Sequence, residues 1–321
     1  MKKITHYLNK VFKYAVVDTE IIVFANAANC SGNIEISVYD KDEIIFSQQI
    51  SQNKLIELDG APVNIFKKNE YQSIKEKTCK LEKLDALCKI TQGTKPFQVG
   101  KGKPPQTKKI VENKPYVSDK KKDDDFLPLL RGSMMNKYRI LWANNYWIKF
   151  GDWLAEPRYS ASYDREKIII RQTGDSLIAT YDKDKFIVRD NLYTIVNIPD
   201  SNISLKYIFG IINFKFMNWY YQNIINNEKG EALAQVKRGH LAILPIPVLN
   251  LSIKADKAKC DKFVSLVDKM LELKQKEAAE PNQQVKTMIA RQIEGIDKAI
   301  DTAVYALYNL TEDEIKIVEG E

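Results

Sequence analysis

Residues that carry most side-chain chemistry are scarce in this 321-residue sequence, which has four cysteines and two histidines. The cysteines (Cys30, Cys79, Cys88, Cys260) are too few to staple a chain this long, and no pair has the two-residue gap of a zinc knuckle. They read as reduced, mostly buried thiols. His6 and His240 leave little material for acid–base work, and no metal site is expected. A His240–Cys260 nucleophile pair is formally available. A lone histidine in Gly239-His240-Leu241, ahead of a proline-rich turn, reads instead as structural or as a phosphate contact. Glycine (13) and proline (11) are too sparse for a collagenous or wholly disordered chain. The longest apolar runs, 21–25 and 241–249, fall far short of the roughly 20 residues of a membrane span. The opening MKKITHYLNK lacks the apolar stretch and small-residue end of a secretion signal, so no membrane partner and a cytoplasmic location are expected. A phosphate-binding loop is also missing, because Gly93 lies too far from Gly100-Lys101 and Gly102 stands where Ser or Thr is required.

What is present is charge, unevenly placed. The net charge is +7. Residues 1–83 hold 12 basic and 11 acidic side chains, 84–250 hold 26 and 17, and 251–321 hold 11 and 14. A basic excess confined to one segment suits binding to a phosphate backbone, where each Lys or Arg releases condensed counterions. A solvated Lys-rich loop would give the same count. Residues 89–122 alone carry ten basic side chains against two acidic ones, and the stretch 93–125 reads as a long loop nearly free of core-forming residues.

The hydrophobic pattern divides the chain into three. Residues 14–25 (YAVVDTEIIVFA) read as a strand buried on both faces of a sheet, and 34–46 as a meander of edge strands across a DKDE turn. That is too little for a stable domain, which suggests a fragment whose other strands lie upstream. In the middle, KIIIRQ (167–172) and SLIATYD (176–182) flank Thr173-Gly174-Asp175, and FIV (186–188) and LYTIVNI (192–198) flank Arg189-Asp190-Asn191, which predicts two hairpins in series. A helix capped by Ser204 is predicted over 204–224, its apolar stripe (Leu205 to Tyr220) read as core, and Leu241 to Val248 reads as a strand. Beyond residue 254, Phe263, Val267, Met270 and Leu271 form one helical face. After Glu280-Pro281-Asn282, Val285, Ile289, Ile293, Ile296, Ile300, Val304 and Leu307 form another. The expected fold is mixed α/β (α+β): a sheet remnant over 1–83, a domain of short strands and hairpins over 84–250, and an antiparallel helical hairpin over 251–321.

Five ordered blocks carry a resemblance. FLPLLRGSMMNKYRILW (126–142), KFGDWLAEPR (149–158), KIIIRQTGDSLIATYD (167–182), FGIINFKFMNWYY (209–221) and VKRGHLAILPIPVL (236–249) are similar to the TaqI-like C-terminal specificity domain of type IIG restriction-modification enzymes. KITQGTKPFQVGKGKPPQT before them and AVYALYNLTEDEIKIVEG (303–320) after them resemble the flanks in those enzymes, and VVDTEIIVF resembles the end of the preceding adenine-N6 DNA methyltransferase domain. The resemblance implies sequence-specific recognition of double-stranded DNA, with methyl transfer from S-adenosylmethionine and Mg-dependent cleavage belonging to upstream domains. No cofactor and no catalytic residue are expected in this chain. The Asn/Asp-Pro-Pro-Tyr motif is absent, Lys103-Pro104-Pro105-Gln106 being the nearest string, and Pro199-Asp200 is followed only by Glu228-Lys229 in place of a nuclease Glu-x-Lys. The Asp123-Asp124-Asp125 run beside Lys120-Lys121-Lys122 reads as a self-neutralising loop. The partner would be a methyltransferase domain in the same polypeptide or, alternatively, a separate methyltransferase subunit docked on the helices. RNA binding finds no ordered set of aromatics to support it.

Sequence readers place Arg or Lys against guanine and Asn or Gln against adenine, and fix the protein on phosphates with other basic residues. The candidates are Arg131, Ser133, Lys137 and Arg139 around the Leu-Leu-Arg-Gly block; Arg171 and Gln172 at a strand end; Lys237, Arg238 and His240 before an apolar run; and Lys101, Lys103, Lys108 and Lys109 in the basic loop. Arg131 could instead pair with an internal carboxylate, and Arg171 with Asp175.

Overall fold

Strand β1 (Lys3–Tyr7) is the spine of a small sheet in the computed structural model, which describes residues 1–7, 11–12, 19–25, 32–51, 71–161, 163–199, 201–226, 230 and 234–320. Strands β2 (Thr19–Val23), β3 (Asn33–Asp40) and β4 (Glu43–Ser51) complete it in the order β2-β1-β3-β4. β1 runs antiparallel to β2 and parallel to β3, and β3 and β4 turn back at Lys41-Asp42 as expected, but β3 is an inner, buried strand rather than the edge strand expected, because it pairs with β1 as well as β4. Ile4, Ile34 and Ile36 are its buried core. The doubly buried strand expected over 14–25 is corrected: Thr19–Val23 is an edge strand, and Ile21, Ile22, Val23 and Phe24 are exposed. Residues 14–18 of that stretch, with Cys30, Asp200 and Glu228-Lys229, lie outside the described residues.

The chain divides into two compact units, 1–76 and 77–321. Helix α1 (Gln72–Thr78) crosses that border. The second unit opens with β5 (Glu82–Lys83), α2 (Leu84–Leu87) and β6 (Cys88–Gln92), followed by α3 (Lys108–Asn113), β7 (Val117–Ser118) and β8 (Phe126–Leu130). Next come β9 (Met135–Asn136), β10 (Arg139–Ile140), β11 (Trp147–Lys149), β12 (Lys167–Arg171), β13 (Ala179–Asp182), β14 (Ile187–Val188) and β15 (Leu192–Asn197). Helices α4 (Leu205–Asn213), α5 (Lys215–Tyr220) and α6 (Arg238–Ala242), strand β16 (Pro245–Ile246) and helices α7 (Lys254–Ala279), α8 (Gln283–Leu307) and α9 (Glu312–Glu319) close the chain. This is the mixed α/β fold anticipated, with several short sheets and a helical C-terminal region. Among the described residues no helix is long and apolar enough to cross a membrane.

Two four-stranded sheets frame the unit, in the orders β13-β12-β15-β6 and β14-β8-β11-β7. The β12–β13 hairpin forms as its pattern predicts. The second predicted hairpin does not: β15 joins β12 and β6, while β14 pairs in parallel with β8 in the other sheet. The Arg189-Asp190-Asn191 turn thus carries the chain between sheets, because a two-residue apolar strand gains more by filling the Leu129–Leu130 core than by folding back.

The basic stretch 93–125, read as a long loop, is largely loop apart from α3 and β7, and it is folded onto the unit. The buried Gln106 side chain ties it down, donating to the Pro96 and Trp153 carbonyls at 2.8 Å each and accepting from the Gln98 N–H at 2.9 Å. At its start, Gly93 passes so close to the next turn that a Cβ there would lie 2.2 Å from the Arg189 carbonyl oxygen. Only glycine fits such an approach.

The predicted 204–224 helix breaks at Phe214, where the backbone turns extended between α4 and α5. Ser204 occupies the N-cap, but its side chain makes no capping bond. The apolar run after His240 is a short helix and the two-residue β16, not one strand. The helical hairpin is present: α7 packs on α8, Asn282 caps α8 by accepting from Gln284 and Val285 N–H, and Phe263, Val267, Met270, Ile300 and Val304 are buried. On α8, the nearly buried Asp301 accepts from the Lys215 N–H at 3.3 Å at the start of α5. One turn on, the Tyr305 hydroxyl donates to Glu319, which also pairs with Lys215.

Candidate nucleic-acid interface

The parallel pairing of β14 with β8 sets Val188 beside Leu130. The next residues, Arg189 and Arg131, therefore leave the sheet as neighbours. Between them stands Tyr146, held by its backbone: its carbonyl accepts from Leu129 N–H at 3.0 Å and from Trp142 Nε1 at 2.9 Å. The Arg131 guanidinium lies over the Tyr146 ring, 5.3 Å from its centroid. Arg189 Nη1 donates to the Tyr146 hydroxyl at 3.0 Å, and Nη2 pairs with Asp190 at 3.3 Å. Burial works against the Arg189 charge, but Tyr146 and Asp190 more than offset it and hold its pKa above the ordinary value.

Arg171 joins this group from the end of β12, opposite Leu192. Its stem runs past Gly132, where a Cβ would sit 3.3 Å from Arg171 Cγ and 3.1 Å from Asn191 Nδ2. The glycine of the Leu-Leu-Arg-Gly block thus occupies a tight position, where a Cβ would require the Arg171 and Asn191 side chains to give by a few tenths of an ångström. Arg171 Nε donates to the Thr173 carbonyl at 3.2 Å. Asp175 is occupied elsewhere, accepting from Ser176 Oγ at 2.7 Å and Gly230 N–H at 3.0 Å. Among the described residues neither Arg131 nor Arg171 has an acidic partner.

A backbone seam brings in Lys237. The Gln172 carbonyl accepts from Val236 N–H at 2.7 Å, and Gly174 N–H donates to the Ala234 carbonyl at 2.9 Å. The Gln172 side chain donates to Gln235 Oε1 at 3.4 Å. Lys237, the next residue on, is exposed at the N-cap of α6. Arg238 turns away, with Nη2 2.6 Å from Asp85 and Nε donating to the Ile90 carbonyl at 3.3 Å. His240 Nδ1 is 3.4 Å from the Tyr221 hydroxyl.

The other candidates are more dispersed. Ser133 is exposed just after Arg131, and Arg139 is half-buried in β10. Lys137 faces the helices: its ammonium lies 5.3 and 5.4 Å from the Tyr138 and Phe214 ring centroids. Desolvation lowers its pKa, against the pull of Asp297 and Asp301. Lys101, Lys103, Lys108 and Lys109 are exposed on the folded 93–125 segment, which departs from the arginine group where Thr94 bridges Arg189. Of the Asp run, Asp124 pairs with Lys121 of the adjoining lysines and Asp125 with Lys149 of β11, each at 2.9 Å. Among the described residues no group of three or more His, Cys, Asp or Glu could hold a metal ion.

Three residues of this surface escaped sequence reasoning: Tyr146, Arg189 and Asn191. Arg189 and Asn191 lie in what reads as a hairpin turn, and only the parallel β8–β14 register brings them beside Arg131. No local pattern carries that register.

Residues 127–246 match the family model of the TaqI-like C-terminal specificity domain. The match is to a specificity domain, the DNA target-recognition class related to restriction-modification systems. Over this part of the chain, somewhat more than a third of it, the similarity is to a TaqI-like C-terminal specificity domain in particular. Among solved structures the chain is similar to one of the type I R-M system, concerned with its complex assembly and conformational transition. The identity is 11%, the TM-score 0.36, and 70% of this chain and 44% of that one are covered. It is also similar to the HsdS subunit from Thermoanaerobacter tengcongensis, at 10% identity and a TM-score of 0.37, covering 73% and 51% respectively. The chain thus spans about half the length of these structures or less. No curated protein matches it.

Proposed function

We propose that this chain is the specificity part of a type IIG restriction-modification enzyme, selecting the double-stranded DNA site at which an adenine-N6 methyltransferase, with or without a fused endonuclease, acts. In this reading residues 1–83 are the end of the methyltransferase sheet, 84–250 read DNA, and 251–321 are a structural or spacing hairpin. S-adenosylmethionine and Mg would then be bound upstream. The observation that carries the reading is the convergence of Arg131, Arg171 and Arg189 at one end of two sheets, two of them without a carboxylate partner among the described residues, within the matched segment. Guanidinium forks matched to base edges and lysines set against phosphates are the chemistry such a surface supplies.

A titration of wild type and the Lys237→Ala, Arg131→Ala and Arg171→Ala variants against duplex DNA at two salt concentrations tests it. Wild type binds with a steep salt dependence. Lys237→Ala weakens binding to all sequences alike and flattens the slope by about one, as loss of one phosphate contact does. Removing a base reader relaxes discrimination at one position by about 1–3 kcal/mol. Salt-insensitive binding, or none, in the full-length enzyme overturns the proposal.

One observation favours a separate subunit that docks a methyltransferase through its helices. A groove of about 640 Å³ lies along α7 and α8, lined by Phe263, Leu266, Ala303 and Leu307 with Lys259 and Lys262 at its rim. An in-frame methyltransferase upstream in the gene decides for the fused enzyme, and a separate neighbouring gene for the subunit.

A further inference from the structure

We infer that Tyr146 is a positioning residue that sets Arg189 as a guanine-reading guanidinium, a role that rests on the DNA-reading function proposed above. Two arginines that leave adjacent parallel strands repel each other and would scatter. Here one aromatic side chain holds both, its face receiving Arg131 at 5.3 Å and its hydroxyl receiving Arg189 at 3.0 Å. Asp190 fixes the second terminal nitrogen of Arg189. A guanidinium has five N–H donors. Tyr146 and Asp190 engage one terminal nitrogen each, and each of those nitrogens keeps a further N–H for a ligand. The side chain remains about 34% exposed, so that ligand has access.

Guanine O6 and N7 offer two acceptors spaced for a two-nitrogen fork. A phosphate can take the same fork, but it also accepts a point charge, which Lys237 and the exposed 93–125 lysines supply without fixed geometry, whereas a guanine edge needs the fork. The structure also accepts a cost at this residue: Arg189 Nε is buried and lacks a hydrogen-bond partner among the described residues. Leaving a buried donor unpaired is expensive, and such local violations collect where a side chain is held for function.

The test is selection of binding sites from a randomised duplex pool by the full chain, as wild type, Tyr146→Phe and Arg189→Lys, with melting temperatures measured alongside. Tyr146→Phe keeps the ring under Arg131 and loses only the hydroxyl; Arg189→Lys keeps the charge and loses the fork. Wild type is expected to enrich a motif containing a G·C pair. Both variants relax that same position by roughly tenfold while the rest of the motif, the salt slope and the melting temperature hold. If either folded variant keeps the full motif and merely binds every sequence more weakly, Arg189 contacts phosphate and the inference fails, with the proposed function intact. If wild type enriches no motif, and the full-length enzyme enriches none in the same selection, the DNA-reading proposal fails and takes this inference with it.

Discussion

Replacing Asp301 by Asn should stabilise this protein at neutral pH and do so less in acid. Burial, the neighbouring Asp297 carboxylate one helical turn back, and only partial relief from the Lys215 N–H, the Lys215 ammonium and Lys137 raise the Asp301 pKa from 3.8 to about 6. Between those values the folded chain holds a proton that the unfolded chain has released. The stability from this group is therefore fully present below about pH 3.8 and is lost as the pH rises through about 6. At 1.36 kcal/mol per pKa unit, an ionised Asp301 costs up to about 3 kcal/mol near pH 7.5 and about 1 kcal/mol near pH 4.5. Asparagine cannot ionise, and its carbonyl still accepts from Lys215 N–H. Urea unfolding of wild type and Asp301→Asn at both pH values measures the difference. The variant should gain about 1–3 kcal/mol at the higher pH, with a gap that narrows in acid. A gain that is the same at both pH values, or a loss at neutral pH, refutes the reasoning.

Other expectations follow from the same contacts. Lys167 and Asp182 form a fully buried pair at 2.7 Å, and Asp182 also accepts from Asp184 and Phe186 N–H. Lys167→Met leaves that carboxylate without its counter-ion and should cost about 3–5 kcal/mol in urea unfolding. Ile300 is completely buried in α8, so Ile300→Asp should abolish cooperative folding, visible as a missing thermal transition. Gly93→Ala meets the Arg189 carbonyl and must displace that turn, and DNA binding should fall with it in a filter or anisotropy assay. Arg238→Ala breaks an exposed pair with Asp85 and should shift stability by no more than about 1 kcal/mol.

What could be read in the sequence followed the range of the interactions. The two long helices were legible because apolar residues every three to four positions leave little choice of face, and Pro281 marks the turn between them. The β12–β13 hairpin was legible from alternation and a Gly-containing turn. Strand β14 was not, since Ile187-Val188 carries too few residues to show a period, and its partner lies 58 residues back by register with Leu129-Leu130. Strand β2 misled for the opposite reason: its continuous Ile-Ile-Val run reads as buried, yet it edges its sheet. At the candidate interface Arg131, Arg171 and Lys237 were legible as basic residues beside turns. Tyr146 and Arg189 were not, because their meaning lies in a register that local sequence does not carry.

The β8–β14 pairing has a kinetic consequence. Bringing Arg189 beside Arg131 closes a long stretch of chain that contains a complete hairpin, and closing a loop of this length costs about 3–4 kcal/mol of chain entropy. Local hairpins and helical turns form within microseconds, whereas a two-residue parallel pairing can be rewarded only once the elements between its ends have settled. The arginine surface is therefore assembled late. Nascent or partly unfolded chains can show native-like helix content while lacking the surface altogether, so the amplitude of DNA binding during refolding should lag the recovery of far-UV circular dichroism.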